Sequence, residues 1–161
     1  MSTATYTLIS QTTLAAGTAS VSFSGFPQTF RDLVVVYNGT NSDSNAGMLI
    51  RLNADTGSNY SAVYMHGYNT GTNSTTQQGT TVDIFFGSTE RTSGILQLMD
   101  YSATDKHKTM LLRSDIGGGV GATRAEAIRW ANSAAVTSIV LFRSGANVSA
   151  GSTFSLYGIA A

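Results

Sequence analysis

Short segments of alternating apolar and polar residues recur along this chain at intervals of roughly 8 to 15 residues. Clusters of Gly, Asn, Ser and Thr separate them, and Pro27, the only proline, falls in one of the intervening turns. Alternation with a period of two is typical of β-strands, because successive side chains of a strand point to opposite faces. The pattern predicts an all-β fold: a two-sheet antiparallel β-sandwich, jelly-roll-like, with about ten strands in a single domain over residues 1–161.

Most segments can be assigned directly to strands, and for two segments the type of secondary structure must be chosen between alternatives. Thr123–Ala131 has the Ala and Glu content of a helix, but Ile128 and Trp130 flank Arg129, and this alternation favours a strand. Asn69–Gly79 contains no apolar residue, and we expect a long exposed loop there. The other predicted strands are Thr5–Ser10, Thr18–Phe23, Leu33–Tyr37, Thr81–Phe86, Gly94–Tyr101, His107–Arg113, Thr137–Arg143 and Ser152–Ile159, with a strand-turn-strand unit over Gly47–Tyr68.

The stretch Ile50–Ser61 indicates the end of a buried strand, a long polar turn and the start of the next strand. Short polar side chains and glycine tolerate positive φ and form hydrogen bonds with nearby backbone, so they suit a turn of defined shape. We therefore predict a structural role, without chemistry, for five residues of this turn: Asn53, Asp55, Gly57, Asn59 and Tyr60.

Charge and composition restrict the classes of partner. Charged residues make up 11% of the 161 residues, against about 25% in typical domains, and the formal net charge is +0. Such a chain has no field that attracts nucleic acid, and its copies do not repel one another, which favours a packed assembly. It has no cysteine, no basic and apolar leader, and no apolar run of about 18 residues, so we expect neither disulfides, export nor membrane insertion.

No grouping of residues predicts catalysis, and we expect a protein that is not an enzyme and uses no cofactor. A hydrolase triad requires a nucleophile beside a base, and neither His66 nor His107 lies near a nucleophile-elbow pattern. Glu90 and Glu126 are the only glutamates, and a glycosidase pair cannot be assigned from them.

Ligand-binding patterns have simpler explanations. Oxygens of Asn53, Asp55 and Asn59 could surround calcium, but their spacing does not match a helix-flanked calcium loop and polar turn chemistry accounts for them. The same argument covers Asn41, Asp43 and Asn45. Gly117–Gly121 lacks the Lys and helix start of a phosphate loop. The arginines that could bind nucleic acid are spread over several strands among acidic residues: Arg113, Arg124, Arg129 and Arg143.

Aromatic residues leave two interpretations open. Tyr64, Tyr68 and Trp130, with other tyrosines, could form a platform on which sugars stack, because such rings combine an apolar face with a polar tip. The same residues would suit a core rim or a subunit interface.

Three stretches resemble a family of small structural proteins of tailed bacteriophages: Phe23–Leu33, Ile50–Ser61 and Gly151–Ile159. The opening Tyr6–Ser10 is similar to their start as well. The resemblance runs nearly end to end and implies a β-sandwich component of the virion. It implies no catalytic or binding residue, because we know no activity attached to the turn motif.

Two functions follow as hypotheses. The first is a capsid decoration or cement protein that is assembled in the host cytoplasm, binds the outer capsid surface and stabilises the head. Its partners would be the major capsid protein and copies of itself, as a homotrimer or homodimer, with Met1–Thr5 and Asn69–Gly79 as contacts. The alternative is a tail-fibre or receptor-binding module that recognises host surface glycans.

Overall fold

A computed structural model describes residues 5–43, 47–68, 71–85, 87–117 and 121–160. Within these ranges the chain forms twelve strands in two antiparallel sheets, which confirms the predicted all-β sandwich with two strands more than the approximate expectation. No helix in the described ranges is long and apolar enough to cross a membrane. The strands are β1 (Tyr6–Thr13), β2 (Ser20–Ser24), β3 (Asp32–Gly39), β4 (Met48–Leu52), β5 (Tyr60–Tyr68), β6 (Gly71–Gly79), β7 (Val82–Phe85), β8 (Thr92–Met99), β9 (Lys108–Ile116), β10 (Ala122–Trp130), β11 (Ser138–Phe142) and β12 (Thr153–Ile159).

The strand pairing is nested, as in a jelly roll. β1 pairs with β12, β2 with β11, β3 with β8 and β4 with β7, all antiparallel. Eight strands paired in this way roll into two packed sheets. The large sheet has the order β1-β12-β3-β8-β9-β10-β5-β6, and the small sheet has the order β2-β11-β4-β7.

Two inserted hairpins make the sheets unequal. β5–β6 lies between β4 and β7 in the chain, and β9–β10 lies between β8 and β11. The two hairpins join through the pairing of β5 with β10 and extend the large sheet to eight strands. The small sheet keeps four strands, so only part of the large sheet has a sheet packed against it.

The core lies between the sheets and follows the predicted alternation. Along β10, Ile128 and Trp130 are buried on the inner face while Arg129 is exposed, so the choice of strand over helix for this segment is confirmed. The largest fully buried side chains include Trp130, Tyr37, Tyr60, Tyr101 and Phe85.

The predicted loop Asn69–Gly79 is wrong from Gly71 onward, because Gly71–Gly79 forms strand β6; residues 69 and 70 lie outside the described ranges. Each residue of β6 is in register with a residue of β5, from Tyr60 opposite Gly79 to Tyr68 opposite Gly71. The backbone of β5 therefore supplies the hydrogen-bond partners that make this segment a strand, although the segment has no apolar side chain that would predict one. The threonines of the segment also favour extended backbone.

Candidate functional site

The outer face of the large sheet, which the small sheet does not cover, carries apolar side chains. In β9 the inner residues Met110 and Leu112 belong to the core, whereas Leu111 between them is 46% exposed. In β5, Val63 and Met65 are 57% and 64% exposed on the face opposite the core residues Tyr60 and Ala62. Exposed large apolar side chains matter when they adjoin one another, because contiguous patches mark interaction sites.

Strand pairing shows that these side chains do adjoin. One row of directly opposed residues crosses all eight strands of the large sheet and holds only apolar residues apart from Gln97 and Thr76. The row runs through Leu8, Tyr157, Val34, Gln97, Leu111, Ala127, Val63 and Thr76.

A second row lies two residues along each strand, and its members between the two terminal serines are apolar apart from Arg113. Its members on consecutive strands from β12 to β6 are Ser155, Val36, Ile95, Arg113, Ala125, Met65 and Ser74. Arg113 is the one charged residue in the two described rows. At about 4.8 Å per strand, eight strands give a band about 34 Å long.

Eleven of the residues in these two rows line a groove of about 900 Å³, which we call the outer groove. Its walls include Tyr6 and Tyr157 at one end and Val63 and Met65 at the other, with Leu111 between them. Polar rows border it. On one side Ser93 donates a hydrogen bond to Asp115, and on the other Arg129 contacts His107 at 2.9 Å. An apolar floor with a polar rim is the usual anatomy of a protein interface.

The predicted turn is tied to the core through Asp55. Its Oδ2 accepts hydrogen bonds from the indole Nε1 of Trp130 at 2.7 Å and from Asn59 Nδ2 at 2.8 Å, and its Oδ1 accepts one from the Gly57 backbone at 2.8 Å. Hydrogen bonds from Asn59, Gly57 and Trp130 hold the pKa of Asp55 below its ordinary value. The carboxylate therefore serves as an acceptor for protein donors.

Asn53 and Tyr60 fix the start and end of the same turn. Asn53 has φ of 52°, which Asn tolerates better than most residues, and its Oδ1 accepts hydrogen bonds from the backbones of Thr137 and Ser138 at 2.8 and 3.2 Å. The hydroxyl of Tyr60 lies 2.9 Å from the Leu52 backbone nitrogen, which donates to it. Four of the five residues singled out from the sequence thus lie in one connected turn between β4 and β5, and Tyr60 is the first residue of β5.

The three candidate aromatics lie in different environments. Trp130 is fully buried and donates its N–H to Asp55, so the interpretation of Trp130 as a glycan-binding or interface residue is wrong. Tyr64 lies beneath the Arg124 guanidinium, 4.1 Å from its ring centre. Tyr68 is 42% exposed, and its ring centre lies 4.6 Å from that of His66.

A buried contact between Arg124 and Glu126 lies in the interior beneath the inserted hairpins. Arg124 Nη2 lies 2.7 Å from Glu126 Oε2, and it also donates to the Asp83 carbonyl of β7 at 3.0 Å. Burial raises the pKa of Glu126 to about 8, although the neighbouring Arg124 charge acts in the opposite direction. Glu126 faces the interior while Glu90 lies exposed in the turn before β8, so these glutamates occupy different environments.

The carboxylates that could have bound calcium, Asp43 and Asp55, accept hydrogen bonds from protein groups. Asp43 Oδ1 accepts a hydrogen bond from Arg143 at 2.7 Å, as Asp55 does from its three donors. Asn45 lies outside the described residues. Among the residues that the structure describes, no three His, Asp or Glu side chains are grouped as metal ligands.

No protein-family model matches this chain, and no curated protein matches it. A solved structure that is similar to it is the crystal structure of a protein of unknown function from Shewanella oneidensis MR-1, with 14% identity. The match covers 99% of this chain and 77% of the other chain with a TM-score of 0.26, a likeness too weak to support an argument about fold or function.

No motif in the sequence singles out the residues of the outer groove as a site. The available signal was the contiguous apolar run, as in Met110-Leu111-Leu112 or Val34-Val35-Val36, where both faces of a strand must be apolar. Three consecutive valines predict a strand that is buried on both faces. In the structure Val34 and Val35 are buried, and Val36 lies half-buried in the outer groove.

Proposed function

We propose that this chain is a structural protein of a tailed-bacteriophage virion, a capsid decoration protein that binds the outer capsid surface and stabilises the head. The observation that supports this best is the outer groove, a largely apolar band across seven strands that the described residues leave uncovered. The protein acts by adhesion and catalyses no reaction.

Covering the outer groove would contribute favourable free energy through apolar burial. At about 25 cal/mol per Å², each 100 Å² of apolar surface that is covered contributes about 2.5 kcal/mol before the costs of association. A bound subunit that spans neighbouring capsid subunits stabilises the assembled state by mass action. The formal net charge of +0 lets many copies lie close together without mutual repulsion.

Two further features support the proposal. Jelly rolls recur in viral capsid domains, although a fold alone does not assign a function. The resemblance of Phe23–Leu33, Ile50–Ser61 and Gly151–Ile159 to small virion proteins agrees with that setting.

The test has two parts, and the first is quantitative protein analysis of purified particles. A copy number in the hundreds supports capsid decoration, whereas a handful of copies at the tail contradicts it.

The second part measures the rebinding of variants to particles that lack the protein. Leu111→Lys and Met65→Lys place a charge in the outer groove and should abolish rebinding. Ser22→Lys, on the exposed face of the small sheet, is the matched control and should rebind normally.

A glycan-binding module is the second candidate, and Tyr68 is the observation that favours it. This ring is exposed, lies beside His66, and belongs to an architecture that also occurs in lectins. Saturable binding on a glycan array that is lost in Tyr68→Ala would support it. Tyr64→Ala is a weaker probe, because Tyr64 packs against Arg124 and its removal disturbs the interior.

A further inference from the structure

The two sheets end in four edge strands: β1 and β6 in the large sheet, and β2 and β7 in the small sheet. An edge strand presents unpaired backbone N–H and C=O groups, which form a template for another strand. Proteins that stay monomeric protect their edges with short strands, bulges, charged residues or proline.

Three of these four edges carry such protection. β1 is interrupted by a register shift between Leu8 and Ser10, and a bulge of this kind twists an edge and limits pairing. β2 has five residues, too few for a long ladder. β7 has four residues, one of them the charged Asp83, and faces a register shift between Met48 and Leu49 of β4.

The edge strand β6 carries none of these devices. It has nine residues, Gly71–Gly79, which pair with β5 in an unbroken register. Its sequence GTNSTTQQG holds no charged residue and no proline. An uncharged, regular and exposed edge of this length is a surface prepared for pairing.

Contacts on the inner side hold β6 in a pairing-competent conformation. Gln77 Nε2 donates to Asp83 Oδ2 at 3.1 Å, and the Asp83 backbone nitrogen donates to Gln77 Oε1 at 2.9 Å. The strand is therefore fixed to β7 of the small sheet as well as to β5. A strand that is already ordered loses little conformational entropy when another strand binds it.

We propose that β6 pairs antiparallel with β6 of a second copy of this chain about a two-fold axis, so that two eight-stranded sheets become one. When all nine residues pair, the axis passes by Thr75, the central residue. Ser74 then lies opposite Thr76 of the second copy, and Asn73 lies opposite Gln77 of the second copy.

Four observations favour the β6 strand of a second copy as the partner of this edge. The edge is uncharged, so identical strands meet without repulsion. Its hydroxyl side chains form favourable cross-strand pairs with their like. The other long edge, β1, is bulged and cannot offer an equally regular partner. Two-fold dimers are also the commonest closed assemblies.

The dimer goes beyond the proposed virion role, because it specifies the strand and the symmetry through which copies join. In a shared sheet the two-fold axis is perpendicular to the sheet plane, so both outer grooves face the same side. The dimer would thus present two apolar bands to one surface.

Light scattering coupled to size exclusion, over a range of concentrations, tests the inference. The chain as it stands should form dimers. Ser74→Lys combined with Thr76→Lys puts lysine opposite lysine at the seam and should give monomers. Ser74→Lys combined with Thr76→Glu puts lysine opposite glutamate at the same positions and should restore dimers. Circular dichroism of each variant verifies folding, and Ser10→Lys on the bulged edge should leave the dimer unchanged.

Three results would overturn the inference. The first is a monomer at every concentration up to about 1 mM. The second is a dimer that persists in the double-lysine variant. The third is a dimer lost in Leu111→Lys, which would place the contact in the outer groove. None of these measurements uses a virus particle. The dimer can therefore be tested even if the proposed binding to a capsid is wrong.

Discussion

At the scale of single residues, Asp55 joins a surface turn to the core. The buried indole of Trp130 can donate its N–H only to a partner inside the fold, and Asp55 is that partner at 2.7 Å. Hydrogen bonds to charged groups contribute about 1.5–3 kcal/mol each, and a buried donor left without a partner costs a similar amount.

Asp55→Asn should lower the free energy of unfolding by about 2 kcal/mol, because an amide NH₂ replaces one of two acceptor oxygens. Urea unfolding measures the change. Asp105→Asn, at an exposed aspartate, is the control and should change stability by less than about 0.5 kcal/mol.

The folded-state pKa of Asp55 is lowered, so its stabilisation is present above the unfolded pKa of about 3.9 and is lost as pH falls through the folded value. A difference between wild type and variant that persists at the acid end would contradict this assignment.

Glu126 should produce the opposite pH dependence. Its pKa is raised from 4.5 to about 8, so the folded state retains a proton that the unfolded state has released. The free energy of unfolding should therefore decrease as pH rises between these two values and level off above them.

Glu126→Gln should flatten that slope, since the variant has no proton to release. Urea unfolding at pH values below, within and above the window measures it. Glu90→Gln, at the exposed glutamate, should keep the wild-type slope. An unchanged slope in Glu126→Gln would show that another group is responsible.

At the scale of elements, the short strand β7 of the small sheet packs closely against β8 and β3 of the large sheet. The ring of Phe85 packs directly over the backbone of Gly94 on β8, where an added Cβ would lie 2.4 Å from ring carbon Cε1. The same ring lies 5.2 Å from that of Tyr37, so it has little room to move.

Gly94→Ala should therefore destabilise the protein by about 1–3 kcal/mol, as overpacking does in well-packed cores. Thermal or urea unfolding measures the loss. Gly67→Ala on β5 is the matched control, since an added Cβ there meets nothing within 4 Å and should be neutral or slightly stabilising. Equal effects of the two substitutions would mean that close packing at Gly94 is not the cause.

Elements with apolar alternation could be predicted from the sequence, and β6 could not. β10 was recognised because Ile128 and Trp130 alternate with Arg129 in the pattern of a half-buried strand. β6 has polar residues on both faces, so its sequence lacks the apolar alternation that marks a half-buried strand. Its conformation depends on the ladder supplied by β5, which is a tertiary interaction.

At the scale of the whole molecule, binding to a particle should be driven by apolar contact rather than by charge. The formal net charge is +0, and Arg113 is the one charged residue in the two described rows of the outer groove. Dissolved salt screens attraction between charges, and apolar contact does not depend on such attraction.

Rebinding to particles should change by less than about threefold between about 0.1 M and about 1 M salt, where the Debye length falls from about 10 Å to about 3 Å. Sedimentation of particles with bound protein measures it. A loss of affinity of tenfold or more would indicate charge-driven attachment and would contradict the role given to the outer groove.

The sequence by itself determined the class of fold and the position of the long turn. Strand alternation, turn residues and low charge are local properties, and each acts over a few neighbouring residues. Asn53, Asp55 and Asn59 could be selected as turn residues for that reason, although their donors at Trp130 and Thr137 could not be known.

Only the tertiary structure decided which surfaces are left uncovered. Leu111 and Leu112 have the same chemistry and adjacent positions, and the packing of the small sheet determines which of them is buried. The outer groove and the open edge of β6 arise from strands far apart in the chain that meet through pairing. Exposure is a property of the whole assembly of strands, so no local pattern can specify it.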